Sequence, residues 1–246
     1  SETVWRQSEK YSVPKLAFVN KMDRVGADFY TVLEEMQKEL GANAVPVVIP
    51  VGKEDHLEGL IDLVKMLFVR FDESSQGMTR IEEAIPDSMK EEAQRWRAHL
   101  IEKAAELEDT LLEKFLDGQA LSTQEVMTAI RRATIARKIV PVYCGSAFIN
   151  KGVQLLLAGV VDYLPAPNEI APIICAKEPG ASQWNPSDDS FFSALAFKIM
   201  ADKHMGKLTY IRIYSGTLEQ GEAIYNSTRD RTQRAGRLID TAQVNP

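Results

Sequence analysis

Apolar residues along the chain fall into two recurring arrangements: unbroken runs that stop at polar turns, and longer stretches spaced three and four apart. Leu16-Ala17-Phe18-Val19 is such a run, and its lack of alternation reads as a strand buried on both faces. It stops at Asn20-Lys21-Met22-Asp23. Phe29, Val32, Leu33, Met36 and Leu40 then recur at helical spacing, with Gly41 where a helix C-cap belongs. Ile139-Val140-Pro141-Val142-Tyr143-Cys144 repeats the buried-strand pattern and ends at Gly145-Ser146-Ala147-Phe148. Asn150 is placed to cap a helix through Val153, Leu156, Leu157, Val160, Val161 and Leu164. Both units read strand, polar turn, helix. In open parallel sheets, ligands sit beyond the carboxyl ends of such strands.

Between the two units lies a different block. Residues 45–51, interrupted by Pro46 and Pro50, and residues 66–71 read as short strands, and residues 59–64 as strand or turn. Met89, Ala93, Trp96, Leu100, Ala104 and Leu107 keep one helix face apolar, and Ser88 with Glu91 has capping-box spacing. Leu111, Leu112, Phe115 and Leu116 form a shorter helix ending at Gly118. Ser122 with Glu125 repeats the box before Val126, Met127, Ile130 and Ala133. At the start, residues 2–10 read as the tail of a helix that opens mid-pattern, broken by Val13-Pro14. Pro165-Ala166-Pro167 marks a domain boundary, and residues 178–190 a surface loop. Beyond it, residues 191–200, 208–214 and 222–226 read as strands separated by glycine turns, the pattern of a small antiparallel barrel.

Composition narrows the class. With 45% hydrophobic and 26% charged residues the chain can bury a core, and its apolar runs fall far short of a membrane span. Two cysteines, Cys144 and Cys175, without C-x-x-C spacing argue against a disulfide framework or a zinc site and fit a reducing cytoplasm. His56, His99 and His204 are too scattered to form a cluster. Charge is uneven. Residues 82–125 hold 12 Asp and Glu against five Lys and Arg, and that surplus of seven, set against a net charge of -6, leaves the remainder at +1. The acidic helices read either as a solvated face or as a docking surface for a basic partner, with Glu102, Glu106 and Glu113 as candidates. Arg229, Arg231, Arg234 and Arg237 form a basic stretch, read either as a hairpin in solvent or as a phosphate contact to RNA.

Asn20, Lys21 and Asp23 carry the sharpest chemistry. An Asp carboxylate accepts two hydrogen bonds from a base edge with adjacent N–H groups, which guanine offers and adenine does not. A site built on such bonds rejects the wrong base strongly. The same four letters also read as an Asn/Asp turn closing a strand before Gly26. The stretch 145–152 is no phosphate loop, because Asn150 stands where G-x-x-x-x-G-K-[ST] needs its second glycine.

Taken with Asp162-Tyr163-Leu164-Pro165 and Tyr214-Ser215-Gly216, the two motifs Asn20-Lys21-Met22-Asp23 and Gly145-Ser146-Ala147-Phe148 make the chain resemble the elongation factor G family of bacterial translational GTPases over essentially its whole length. The resemblance implies an α/β fold: a partial P-loop-type GTPase sheet (residues 1–41 and 139–166) with an inserted acidic α+β subdomain (42–138), then the N-terminal part of an antiparallel β-barrel (167–246). It implies that Asn20 and Asp23 read guanine, Lys21 packs on the base, the Ala147 N–H contacts the guanine oxygen, and Ser146 shapes the turn. GTP or GDP is the implied ligand, and the implied partners are the ribosome, with its stalk protein at the insertion and its RNA at the barrel; no membrane is implied. Parent proteins of this kind hydrolyse GTP to drive movement of tRNA and mRNA.

The chain departs from that pattern in having no phosphate loop, no switch threonine and no D-x-x-G-H segment, so the Mg2+ site and the hydrolytic residues are missing. The expectation is an internal fragment with no catalytic residue and no metal site of its own, with an exposed sheet edge inviting self-association. Asp202-Lys203-His204-Met205-Gly206-Lys207 departs from the usual D-P-F-V-G-K form and leaves a paralogue open. The alternatives are a ribosome-interaction module that binds no nucleotide, or part of a related ribosome-protection or recycling GTPase.

Overall fold

A computed structural model describes residues 2–72, 75, 77–106, 109–170, 173–174, 183–184, 186–202 and 206–239 of the 246. Cys175, His204, Leu107 and residues 178–182 and 185 of the expected loop 178–190 lie outside these residues. The chain divides into two compact units, Ser1–Leu164 and Pro165–Pro246.

In the first unit, helix α1 (Glu2–Lys10) leads to β1 (Ala17–Val19), then to α2 (Phe29–Leu40) and β2 (Ala44–Pro46). Local chemistry sets the limits of α2. The Asp28 carboxylate accepts from the Thr31 N–H at 2.9 Å, and Gly41 at φ 62° closes the last turn. After a central block come β7 (Val140–Cys144) and α6 (Val153–Tyr163). Strands β1, β7 and β2 form a parallel sheet in that order. Ala17 lies opposite Val142 and Val19 opposite Cys144. The two strands therefore end level, and the turns at their ends emerge side by side.

The central block is a four-stranded antiparallel sheet, β3 (Val48–Val51), β4 (Gly59–Asp62), β5 (Leu67–Phe71) and β6 (Arg80–Glu83), with helices α3 (Lys90–Ala105), α4 (Asp109–Leu116) and α5 (Thr123–Ile135). The stretch 45–51 is thus two strands in two sheets, switching at Val47, whose N–H still donates to the Val142 carbonyl. Strand β2 lies inside the segment 42–138 and belongs to the sheet of β7. One core runs through both parts, with Val45, Ile49, Leu60, Ile61, Leu100, Ile130, Ile139 and Val142 almost fully buried. Burial on this scale dominates the stability of the unit. Arg97 of α3 ties the helices to the sheet by donating to the carbonyls of Leu63 and Val64. Tyr30 of α2 stacks on Trp96 of α3 and donates its hydroxyl to Glu92.

Three local expectations are corrected. Strand β1 is not buried on both faces: only Val19 is buried, and Leu16, Ala17 and Phe18 are half-buried, because β1 pairs on one side only among the described strands. Ser88 does not cap α3, since a 3-10 turn at Asp87–Met89 precedes it and Met89 takes the cap position without a side-chain bond. Asn150 does not cap α6; Gly152, at φ 92°, does so by backbone geometry alone. By contrast, the Ser122–Glu125 capping box is complete.

The second unit is antiparallel. A long hairpin, β10 (Ser193–Asp202) with β11 (Gly206–Ser215), and a short one, β12 (Ala223–Asn226) with β13 (Arg231–Arg234), accompany a two-residue pair, β8 (Ile173–Ile174) with β9 (Gln183–Trp184). The last pair runs into the stretch read as loop.

Helix α6 lies against β7 so closely that a Cβ on Gly159 would stand 2.1 Å from the Tyr143 hydroxyl oxygen. Tyr143 is buried, so its ring must shift within the core to admit the methyl group. Alanine in mid-helix is ordinarily worth about 1 kcal/mol over glycine, whereas overpacking costs about 1–3 kcal/mol. Gly159→Ala is therefore expected to lower the urea midpoint of the chain, by an amount equivalent to up to about 2 kcal/mol. A raised midpoint would show that the contact is loose.

Candidate functional site

Level strand ends bring two polar turns together although 123 positions separate Asp23 from Ser146. Main-chain bonds stitch them first. The Gly145 N–H donates to the Val19 carbonyl at 3.1 Å, and the Met22 N–H donates to the Gly145 carbonyl at 3.0 Å. Met22 is buried, an apolar peg in an otherwise polar motif. Gly145 is confined from behind, since a Cβ there would meet the Lys151 carbonyl oxygen at 2.1 Å. The stretch 146–151 is a closed loop, with Ser146 and Lys151 exchanging both main-chain hydrogen bonds. Those N–H groups are thereby used up, as a phosphate cradle's would not be.

Side chains then complete the junction. Asn20 Oδ1 accepts from the Ala147 N–H at 3.0 Å and from the Lys21 N–H at 2.8 Å. Lys21 is exposed and sits at φ 65°, a left-handed conformation that a lysine adopts only when its surroundings impose it. Its ammonium is free to lie along a flat ligand. Asp23 is mostly covered, with its Oδ1 sealed from solvent and its Oδ2 3.8 Å from Arg24 Nε. Neither Asp23 Oδ1 nor the fully buried Ser146 hydroxyl completes a hydrogen bond of good geometry. The hydroxyl is nevertheless the foremost influence holding the Asp23 carboxyl below its ordinary pKa; burial opposes it, and the backbone N–H of Asp23 itself, then Arg24 and Lys21, add attraction. An ionised carboxylate beside an exposed lysine has the chemistry to accept from a flat group bearing adjacent N–H donors, with Oδ1 reachable only where its cover opens.

Asn20, Lys21, Asp23, Ser146 and Ala147 thus lie in one place. The other candidates lie elsewhere. Glu102 on α3, Glu106 at its C-terminal end and Glu113 on α4 are exposed, and Lys103 donates to Glu106 at 2.9 Å. Arg229, Arg231, Arg234 and Arg237 are exposed on and around the β12–β13 hairpin of the second unit. Sequence reasoning missed Met22 and Gly145 as the main-chain link of the two turns; a methionine inside a polar motif was the available signal. Among the described residues no group of His, Cys, Asp and Glu could hold a metal ion, and no helix is long and apolar enough to cross a membrane.

Residues 1–166 match the family model of the elongation factor Tu GTP binding domain, and residues 191–244 match that of elongation factor G domain 2. A crystal structure of a protein from Thermus thermophilus superposes on 95% of this chain with a TM-score of 0.74 and 26% sequence identity. The chain spans 32% of the length of that protein.

A depressed carboxyl pKa stabilises the folded state above the ordinary carboxylate range, and the gain is lost as pH falls through the folded-state value. Ser146→Ala should raise the Asp23 pKa toward the ordinary range, read from side-chain carboxyl NMR shifts. Part of the chain's resistance to acid should go with it. An unmoved Asp23 titration would assign the depression to the Asp23 backbone N–H, Arg24 and Lys21 instead.

Proposed function

The chain belongs to the family of the elongation factor Tu GTP binding domain, and from that premise we propose that it is the base-reading portion of a translational GTPase of the elongation factor G type, one that drives movement of tRNA and mRNA on the ribosome. The observation that carries this reading is the junction of the two turns, where Asn20 Oδ1 holds the Ala147 N–H beside the covered Asp23 carboxylate. In this role Asp23 accepts from the ring N–H and exocyclic amine of guanine, Lys21 lies along the ring, and the Ala147 N–H is held near the guanine oxygen. Ser146 helps hold the Asp23 carboxyl below its ordinary pKa. Adenine would leave the carboxylate facing an acceptor, and a buried unpaired acceptor costs about 1–3 kcal/mol. The sequence has no G-x-x-x-x-G-K-[ST], so base contacts must supply the affinity of this chain for a nucleotide.

GDP titrated into the chain should move the amide signals of Met22, Asp23 and Ala147 only at millimolar concentrations. ADP should leave them in place, and Asp23→Ala should abolish the GDP response. Equal responses to the two nucleotides would end the base-reading assignment, and micromolar affinity would mean that phosphate contacts exist in this chain.

The acidic helices fit a basic partner, for which the ribosomal stalk protein is the proposed candidate, and the exposed arginines of the second unit fit ribosomal RNA. Reversing Glu102, Glu106 and Glu113 to lysine together should abolish salt-sensitive binding to stalk protein, measured by titration calorimetry. Unchanged binding would return these residues to the role of a solvated face.

A further inference from the structure

The antiparallel sheet between the two motifs does more than fill space, because its edge loops reach both turns of the junction. The turn before β4 reaches the first. Glu54 accepts from the Gly26 N–H at 2.7 Å, which ties down the far end of the loop that carries Asn20 to Asp23. Glu54 is held at φ 56°, in the left-handed region, so its backbone is constrained where its carboxylate is used. The same turn reaches the second loop, where Lys151 Nζ donates to the Leu57 carbonyl at 2.9 Å. A third tether comes from between β5 and β6. Gln154 Nε2 donates to the Gly77 carbonyl at 2.8 Å, and Gly77 sits so close that a Cβ there would meet the carbonyl oxygens of Asn150 and Ile149 at 2.8 and 2.9 Å. Gln154 Oε1 is buried without a partner, an unfavourable state for an amide. Its Nε2 also approaches the Asn150 carbonyl and side-chain oxygens, so the amide is oriented to join loop 146–151 to Gly77.

We propose that the inserted sheet positions the two base-reading turns against each other, with Glu54, Lys151 and Gln154 as positioning residues that touch no base themselves. The main-chain bonds of Gly145 to Val19 and of Met22 to Gly145 fix the bases of the two turns, but beyond them Asn20 reaches Ala147 by one side-chain bond, and a single exposed hydrogen bond is worth too little to hold the outer parts of the turns. Three tethers to the edge loops of one sheet add to that constraint. A force or partner acting on the insertion thereby alters guanine affinity without approaching the nucleotide. This inference rests on the guanine-reading assignment above, and its test separates the two.

The ligand-free chain is measured first, by hydrogen exchange at the Ala147 amide, which none of the three side chains contacts. Glu54→Ala, Lys151→Met and Gln154→Glu should each speed that exchange by about three- to tenfold, the worth of one hydrogen bond. Glu54→Gln and Lys151→Arg keep an acceptor and a donor and should stay within about twofold of the native chain. GDP affinity should fall in the same order, with the thermal midpoint unchanged within each conservative and non-conservative pair. If GDP does not bind the native chain at all, yet exchange at Ala147 follows this order, the base-reading assignment fails and the positioning role stands. If exchange at Ala147 is the same in all five variants, the positioning role is overturned whatever GDP does.

Discussion

Everything proposed for this chain depends on the parallel register of β1 with β7. Val19 faces Cys144, so two turns remote in sequence leave the sheet at one level. A slip of one residue would turn the side chains of the strand to the opposite faces and move one turn a full residue away from the other. The Met22 to Gly145 bond fixes that level from the turn side. Sheet pairing and turn pairing then constrain each other, and Asn20 can reach the Ala147 N–H without distortion.

The long sequence separation carries a cost that the fold offsets. Closing a loop of this length loses chain entropy, although the loss grows only slowly with length. The intervening residues recover it by folding onto the same core. Val45 and Val142 of the parallel sheet are buried in one cluster with Ile49, Leu60 and Ile61 of the antiparallel sheet and with Leu100 and Ile130 of the helices. The insertion is therefore continuous with the part that carries the junction, which is why its loops stand close enough to hydrogen-bond both turns.

Strand-turn-helix grammar was legible in the sequence wherever the signal is local. Helix α2 begins at an Asp cap and ends at glycine, and α5 begins at a complete Ser–Glu box, because those groups act within one turn of their own backbone. Ser88 and Asn150 carry the same letters and fail, since neither stands directly before α-helix: Ser88 lies within a 3-10 turn, and Asn150 within a loop closed by the Ser146–Lys151 pairing. The half-burial of β1 was not legible at all. An apolar run records the strand's composition, whereas its exposure depends on which strands flank it. Three of the five junction residues, Asn20, Lys21 and Asp23, were legible from side-chain chemistry, and Ser146 and Ala147 only through resemblance, Ala147 because it contributes a main-chain N–H that any residue would supply. Glu54, Lys151 and Gln154 were illegible as tethers, because their partners are backbone groups 28 to 94 positions away that carry no sequence signature.

That last difference bears on how substitutions at the site behave. A carboxylate that reads a base is restricted by the ligand's chemistry, and no other side chain presents two acceptors at that length. A tether to a carbonyl is restricted only by reach and by the presence of a donor, so arginine can stand for Lys151, whereas glutamate cannot stand for Gln154. Tyr30 and Trp96 show the same freedom, since their stacking requires flat area and little more. On the base-reading proposal, the specificity of the junction rests on Asn20, Asp23 and Ser146, and its geometry is distributed over residues whose identities are loosely bound to their roles. Among relatives of equal affinity, the base-reading letters should be the restricted ones, and the tethers should be exchanged for other donors and acceptors of similar reach.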